Sequence, residues 1–246
     1  MSLILIILIE IFFGSALKDI VPYEALEWIL LSVNMIVVGL YLSFKLENKN
    51  TFYIIYIAYM IRIILMYVDM NITTLPFSGA DTWSFHNTGI EIANGLPEKL
   101  LDSPYGVYAQ FVGIIYYLMG GPTRMFLQNI NIILFIASTI SIVEIFKIYK
   151  VDNKFLNKVM LLYTWFMPVA LFESCILLRE MLIVYFITLS ICSLLKWMND
   201  YGSIHIVISC IFIFVNMPRF KMYYTYMLRC ADNSIYTGMT NDLERR

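Results

Sequence analysis

The sequence predicts an all-α polytopic membrane protein of about seven to eight apolar helices, followed by a short C-terminal β-hairpin and the start of one more helix. Three observations carry this. Of 246 residues, 60% are hydrophobic and 14% charged, against about 45–50% apolar and about 25% charged in an ordinary soluble domain. The apolar residues fall into long runs of membrane-spanning length. At Met222 the pattern changes abruptly to strand-like alternation.

A bilayer core about 30 Å thick needs ~20 apolar residues per helix, with a range of ~17–25. Runs near that length are 2–17, 25–44, 52–68, 105–120, 125–146, 157–178, 180–198 and 203–217. The first, fourth and last are short, and Gly106, Gly113, Gly120 and Gly121 loosen the fourth. The first run lacks a basic leader and is interrupted by Glu10, so it reads as a signal anchor and not as a cleaved peptide. Residues 1–217 thus form a multi-spanning domain whose first partner is the lipid bilayer. The four cysteines, Cys175, Cys192, Cys210 and Cys230, have neither disulfide nor metal spacing and read as small hydrophobes. Acidic and basic residues nearly balance, at 18 and 17, so net charge points to no nucleic-acid partner.

Residues 69–104 are polar, with Asp69, Asp81, Glu91, Glu98 and Asp102 against the single base Lys99. The positive-inside rule makes this an extracytoplasmic loop, and the same rule makes the segment holding Lys147, Lys150, Lys154 and Lys158 cytoplasmic. Two full crossings between these segments would return the chain to the outside. The run 105–120 is therefore expected to be interfacial or re-entrant.

Within the loop, GADTWSFHNTGIEIANG places Asp81 before a short helical pattern that puts Trp83, His86, Ile90 and Ala93 on one face and Gly95 after the last turn. One reading is structural, with Asp81 as N-cap and Gly95 ending the helix. The other is chemical, with Asp81 as general base for a hydroxyl acceptor and His86 about a turn away. Arg62, Glu144, Glu173, Arg179, Glu180 and His205 lie in or near apolar runs, where a charge is costly and faces a polar cavity or a partner. Arg179 and Glu180, at a helix end, can snorkel to the interface. Arg62 and Glu10 are each well inside a run, and a mutual ion pair is one arrangement that would accommodate both.

The order GADTWSFHNTGIEIANG, SPYGVYAQFVGIIYYLMGG, Arg124 with a long apolar run ending in bases, then MPVALFESCILLREMLIVYFITLSI, resembles polyprenyl-linked membrane glycosyltransferases of the C-type fold and related polysaccharide-assembly proteins. The resemblance covers residues 50–200. It implies an essential acid in the first outward loop, matched by Asp81 with His86 beside it. It also implies a polyprenyl-phosphate-linked sugar as partner, held by basic residues near the outer face, for which Arg179 is the candidate. The chain is short for this family, its apolar repertoire ending at Val215.

The tail MYYTYMLRCADNSIYTGMTNDLERR alternates as a strand, turns at Asp232-Asn233, alternates again and opens a helix. Residues 222–246 resemble the opening of a GIY-YIG endonuclease domain: Tyr224-Thr225-Tyr226 and Tyr236-Thr237-Gly238 match the two signature triplets, and Arg246 the arginine of the first helix. The resemblance gives Tyr226 and Tyr236 the roles of flanking a scissile phosphate or water, and Arg246 that of stabilising phosphoryl charge. The family's metal-binding glutamate lies further on than residue 246. A divalent metal is thus implied only for a complete homologue, and no nuclease activity or nucleic-acid binding is expected of the tail as it stands. Met222 stands where free-standing members begin, which suggests a truncated or fused gene product joined near residues 218–221.

Three readings follow: a glycosyltransferase-like or polysaccharide-assembly protein, a nuclease-domain protein with a membrane anchor, and a membrane protein without catalysis.

Overall fold

The computed structural model describes residues 3–46, 48–100, 105–149 and 165–199, a few positions between 162 and 207, and two C-terminal strands. Among these residues the chain forms eight α-helices: α1 (Leu3–Leu17), α2 (Tyr23–Lys45), α3 (Lys49–Asn71), α4 (Ala80–Asn94), α5 (Gly106–Met119), α6 (Arg124–Ile148), α7 (Pro168–Glu173) and α8 (Glu180–Met198). Strands β1 (Tyr224–Arg229) and β2 (Ile235–Thr240) pair antiparallel, with Tyr226 opposite Gly238 and Leu228 opposite Tyr236.

Among the described residues, four helices are long and apolar enough to cross a membrane: α2, α3, α6 and α8, with 23, 23, 25 and 19 residues. Of the seven to eight apolar helices expected from the sequence, the described residues show these four and two shorter ones, α1 and α5. At 1.5 Å per residue, α1 and α5, with 15 and 14 residues, extend only about 21–22 Å, short of a ~30 Å bilayer core. The start of run 157–178 and most of run 203–217 fall outside the described residues. The described end of the first breaks at Met167-Pro168 into six-residue α7, followed by a non-helical turn over 174–179.

The helix ends obey local rules. Asn48 caps α3 by accepting from the Asn50 N–H at 2.9 Å. Gly120, at φ 76°, ends α5 in the left-handed conformation that favours glycine. Lys45 sits in the last turn of α2, where the helix dipole favours a cation. Helix α6 is central and mostly buried, whereas α2, α3 and α8 bury a minority of their apolar length. It can take that place because its buried polar side chains, Arg124, Gln128 and Asn131 among them, find hydrogen-bond partners inside the bundle. Outside, Phe12, Ile36, Leu40, Ile57, Ile64, Ile187 and Ile191 are exposed, an apolar outer surface that suits lipid better than water.

The two ends of the bundle differ. Glu144, late in α6, pairs with Lys45 at the end of α2 (3.6 Å) and with Lys196 near the end of α8. Three helix C-termini therefore meet there. At the other end lie Glu27 of α2, Asp69 of α3 and Arg124 of α6. Helices α6 and α8 therefore run parallel, with their C-terminal ends together at the Glu144 end.

Buried polar side chains tie the interior together, though not as the sequence suggested for Glu10 and Arg62. These two do not pair. Glu10 accepts a hydrogen bond from Asn34 Nδ2 at 3.2 Å. Arg62 donates to Ser174 Oγ (2.9 Å), Trp165 O (2.7 Å) and Ala58 O (3.3 Å), and its guanidinium lies 4.5 and 4.7 Å from the ring centroids of Phe135 and Trp165. Asn131 Nδ2 donates to Ile176 O and Leu178 O at 2.7 and 2.9 Å. The reason is backbone accounting. The break at Met167-Pro168 and the non-helical turn after it leave carbonyls that no ladder satisfies; Arg62 supplies a donor to Trp165 O, and Asn131 to Ile176 O and Leu178 O.

Candidate functional site

Polar groups converge at the Asp69 end, where α3 stops, α6 starts and the α4–α5 layer covers both. Arg124 is the first residue of α6, where a cation opposes the helix dipole. Two carboxylates offset it. Glu27 of α2 accepts from the backbone N–H groups of Met125 (2.7 Å) and Phe126 (3.3 Å), which are otherwise orphan donors of the first turn. Asp69, in the last turn of α3, binds Arg124 Nη2 at 2.7 Å, and its oxygens also accept from Gln128 Nε2 (3.1 Å) and Leu75 N (3.1 Å).

Helix α4 roofs this pair. The Trp83 ring lies 5.0 Å from the Arg124 guanidinium and meets the His86 ring edge-on at 5.8 Å. His86 Nδ1 is 2.9 Å from the Tyr116 hydroxyl of α5. Burial, reinforced by the nearby Arg124 charge, pushes the His86 imidazole down to about 4, so it is neutral near pH 7. Close contact between α4 and α5 fixes this geometry. A Cβ on Gly113 would stand 2.5 Å from Ile92 Cγ2 and 3.2 Å from Gly89 O, and one on Gly89 would stand 2.5 Å from Val112 Cγ1. Only glycine at both positions lets the helices approach so closely.

The cluster retains unused hydrogen-bonding capacity. Arg124 Nε, Gln128 Oε1, Thr123 Oγ1 and Thr82 Oγ1 are buried and have no hydrogen-bond partner among the described residues. Such atoms can take water or the hydroxyls of a polar ligand. Among the described residues no group of three or more His, Cys, Asp or Glu could hold a metal ion.

The residues singled out from sequence are only partly gathered here. His86 is in the cluster. Asp81 is exposed in the first turn of α4, one residue inside the helix, and it does not cap: Gly79 is the N-cap and no side chain caps it. Gly95 does stand at the C-terminal end of α4. No hydrogen bond or ion pair among the described residues joins Asp81 to His86. Arg179 precedes α8 with its side chain 60% exposed, 3.7 Å from the Glu180 carboxylate. Tyr226 and Tyr236 occupy diagonal positions on the β1–β2 ladder, and Arg246 lies outside the described residues. Sequence reasoning missed the pairing of Asp69 with Arg124, and with it Gln128, Tyr116 and Glu27. The available signal was that Asp69 and Arg124 each flank an apolar run on the same side of the bundle.

Comparison with known proteins reaches only the tail. The family described as GIY-YIG catalytic domain matches residues 222–246, 25 of the 246 residues. No curated protein and no solved structure matches the chain.

Proposed function

We propose that the chain is a multi-pass protein of the cell membrane that acts on a polyprenyl-phosphate-linked sugar at its extracytoplasmic end, as a glycosyltransferase-like or polysaccharide-assembly protein. The observation that supports this is the polarity of the bundle. Lys45, Lys147 and Lys196 sit at one end of α2, α6 and α8, while Asp69, Asp81, His86 and Arg124 collect at the other. By the positive-inside rule the lysine end is cytoplasmic. The opposite end then offers an exposed carboxylate on Asp81 at a membrane surface, beside Trp83, a ring suited to stacking on a sugar, and above a polar cluster with hydrogen-bonding capacity to spare. In this reading Asp81 is the general base toward an acceptor hydroxyl. Neutral His86 and Arg124 order the roof around it, and exposed Arg179 is the candidate for the lipid phosphate.

The test is transfer from a radiolabelled polyprenyl-phosphate sugar pool in membrane vesicles bearing the protein. Asp81→Asn keeps the size and should abolish incorporation while leaving membrane insertion unchanged. Full retention of transfer, or no transfer by the unaltered protein, would overturn the reading.

A second reading has one observation in its favour, the GIY-YIG match over residues 222–246. It takes the tail as the functional part and the membrane helices as its anchor, with Tyr226, Tyr236 and Arg246 the residues a complete domain would place at the phosphate, and no cleavage expected of the tail as it stands. Magnesium-dependent plasmid cleavage that is lost in Tyr226→Phe would place it first.

A further inference from the structure

The bundle holds an acid that the proposed sugar-transfer site does not use. Glu10, in the apolar helix α1, is 5% exposed, and its Oε2 receives one hydrogen bond, from Asn34 Nδ2 at 3.2 Å. Glu10 Oε1 and Asn34 Oδ1 on this same pair are buried with no partner among the described residues. Asn34 itself is 0% exposed. Two acceptor oxygens therefore stand in an apolar interior without a donor, and a buried acceptor left unsatisfied is the costly case.

Among the described residues, no neighbouring side chain supplies the missing positive charge. Helix α1 has no other charged residue within Leu3–Leu17, and α5, which packs on it, has none in Gly106–Met119. On α2 the charges are Glu24 and Glu27 at one end and Lys45 at the other, the last paired with Glu144. On α6 Arg124 is engaged by Asp69, and Glu144 and Lys147 lie at the far end. On α3 Arg62 is spent on Ser174, Trp165 and Ala58. The titratable group within electrostatic range is Tyr59 of α3, whose hydroxyl is 3.2 Å from Asn129 Oδ1.

The site therefore calls for one unit of positive charge that brings its own hydrogen-bond donor. A divalent cation is mismatched, since magnesium and calcium take six or more oxygens and only two are free. A proton meets both needs, cancelling the charge and turning one carboxylate oxygen into an O–H donor. We infer that Glu10 and Asn34 form a proton-binding site in the core of the bundle, with Glu10 held as the neutral acid and open to attack by apolar carbodiimides. In that reaction the carboxyl proton moves to a carbodiimide nitrogen while the carboxyl oxygen bonds to the carbodiimide carbon. The O-acylisourea then rearranges to a stable N-acylurea, and no group leaves.

The experiment treats the full-length protein in lipid vesicles with dicyclohexylcarbodiimide across a pH series and maps adducts by peptide mass spectrometry. The expected result is a single adduct at Glu10 at neutral pH, fading as pH rises and absent in Glu10→Gln. Asn34→Leu, which removes the one donor that favours the charged form, should carry labelling to higher pH. Three results would overturn the site: no adduct at Glu10 at neutral pH, equal labelling by a membrane-impermeant carbodiimide, or protection by sodium at constant ionic strength, which would make the occupant a metal cation. The readout is independent of sugar transfer, so it stands or falls separately from Asp81.

Discussion

Asp69 and Arg124, 55 residues apart in the chain, form an ion pair of 2.7 Å at the junction of α3 and α6, with side chains 0% and 8% exposed. Removing one partner from a buried pair strands the other charge, which costs about 3–5 kcal/mol, whereas replacing both with apolar groups costs far less. Asp69→Ala should therefore lower the thermal midpoint in detergent more than Asp69→Ala combined with Arg124→Met. A double variant less stable than either single one would show that the pair is not the coupled unit described.

His86 sets a pH dependence with a definite sign. Its pKa is lowered from the ordinary 6.5 to about 4, by burial first and Arg124 second. Between those values the unfolded chain binds a proton that the folded chain does not, so stability falls as pH drops from 6.5 toward 4 and is unaffected by this group above 6.5. In His205→Gln, which leaves His86 as the one histidine, imidazole NMR should show a neutral ring at pH 6. Arg124→Met should move its titration upward. A ring already half protonated at pH 6 would contradict the buried geometry.

The orientation of the bundle is open to direct labelling. Residues 69–104 are expected to face away from the cytoplasm, and the Lys147 end toward it. A cysteine placed at Asn94, in a chain whose native cysteines are changed to Ala, should react with a membrane-impermeant maleimide in intact cells, and one at Tyr149 only after permeabilisation. The reverse pattern would invert the topology and remove Asp81 from the extracytoplasmic surface.

The membrane class was legible in the sequence because it rests on sums: a 60% hydrophobic chain with apolar runs of bilayer length leaves few alternatives, and α2, α3, α6 and α8 follow those runs closely. Span number was less legible, because a run such as 2–17 is counted by composition whereas crossing depends on helix length, and α1 stops at 15 residues; the run 105–120, expected to be interfacial or re-entrant, forms a helix of 14 residues. The place of α4 was visible in the single face formed by Trp83, His86, Ile90 and Ala93 and in Gly95, but its N-cap is Gly79 and not Asp81. Cap preference favours Asp, yet the chain turns into the helix at Gly79, and Asp81 is left exposed in the first turn. What only the tertiary structure decided is which charge meets which. Arg62 finds its acceptors 103 and 112 residues away, and Asp69 finds Arg124 across two intervening helices. Such pairings depend on depth in the bundle and on which helix faces touch. Local sequence fixes where a charge sits along its own helix, and only packing fixes what stands opposite.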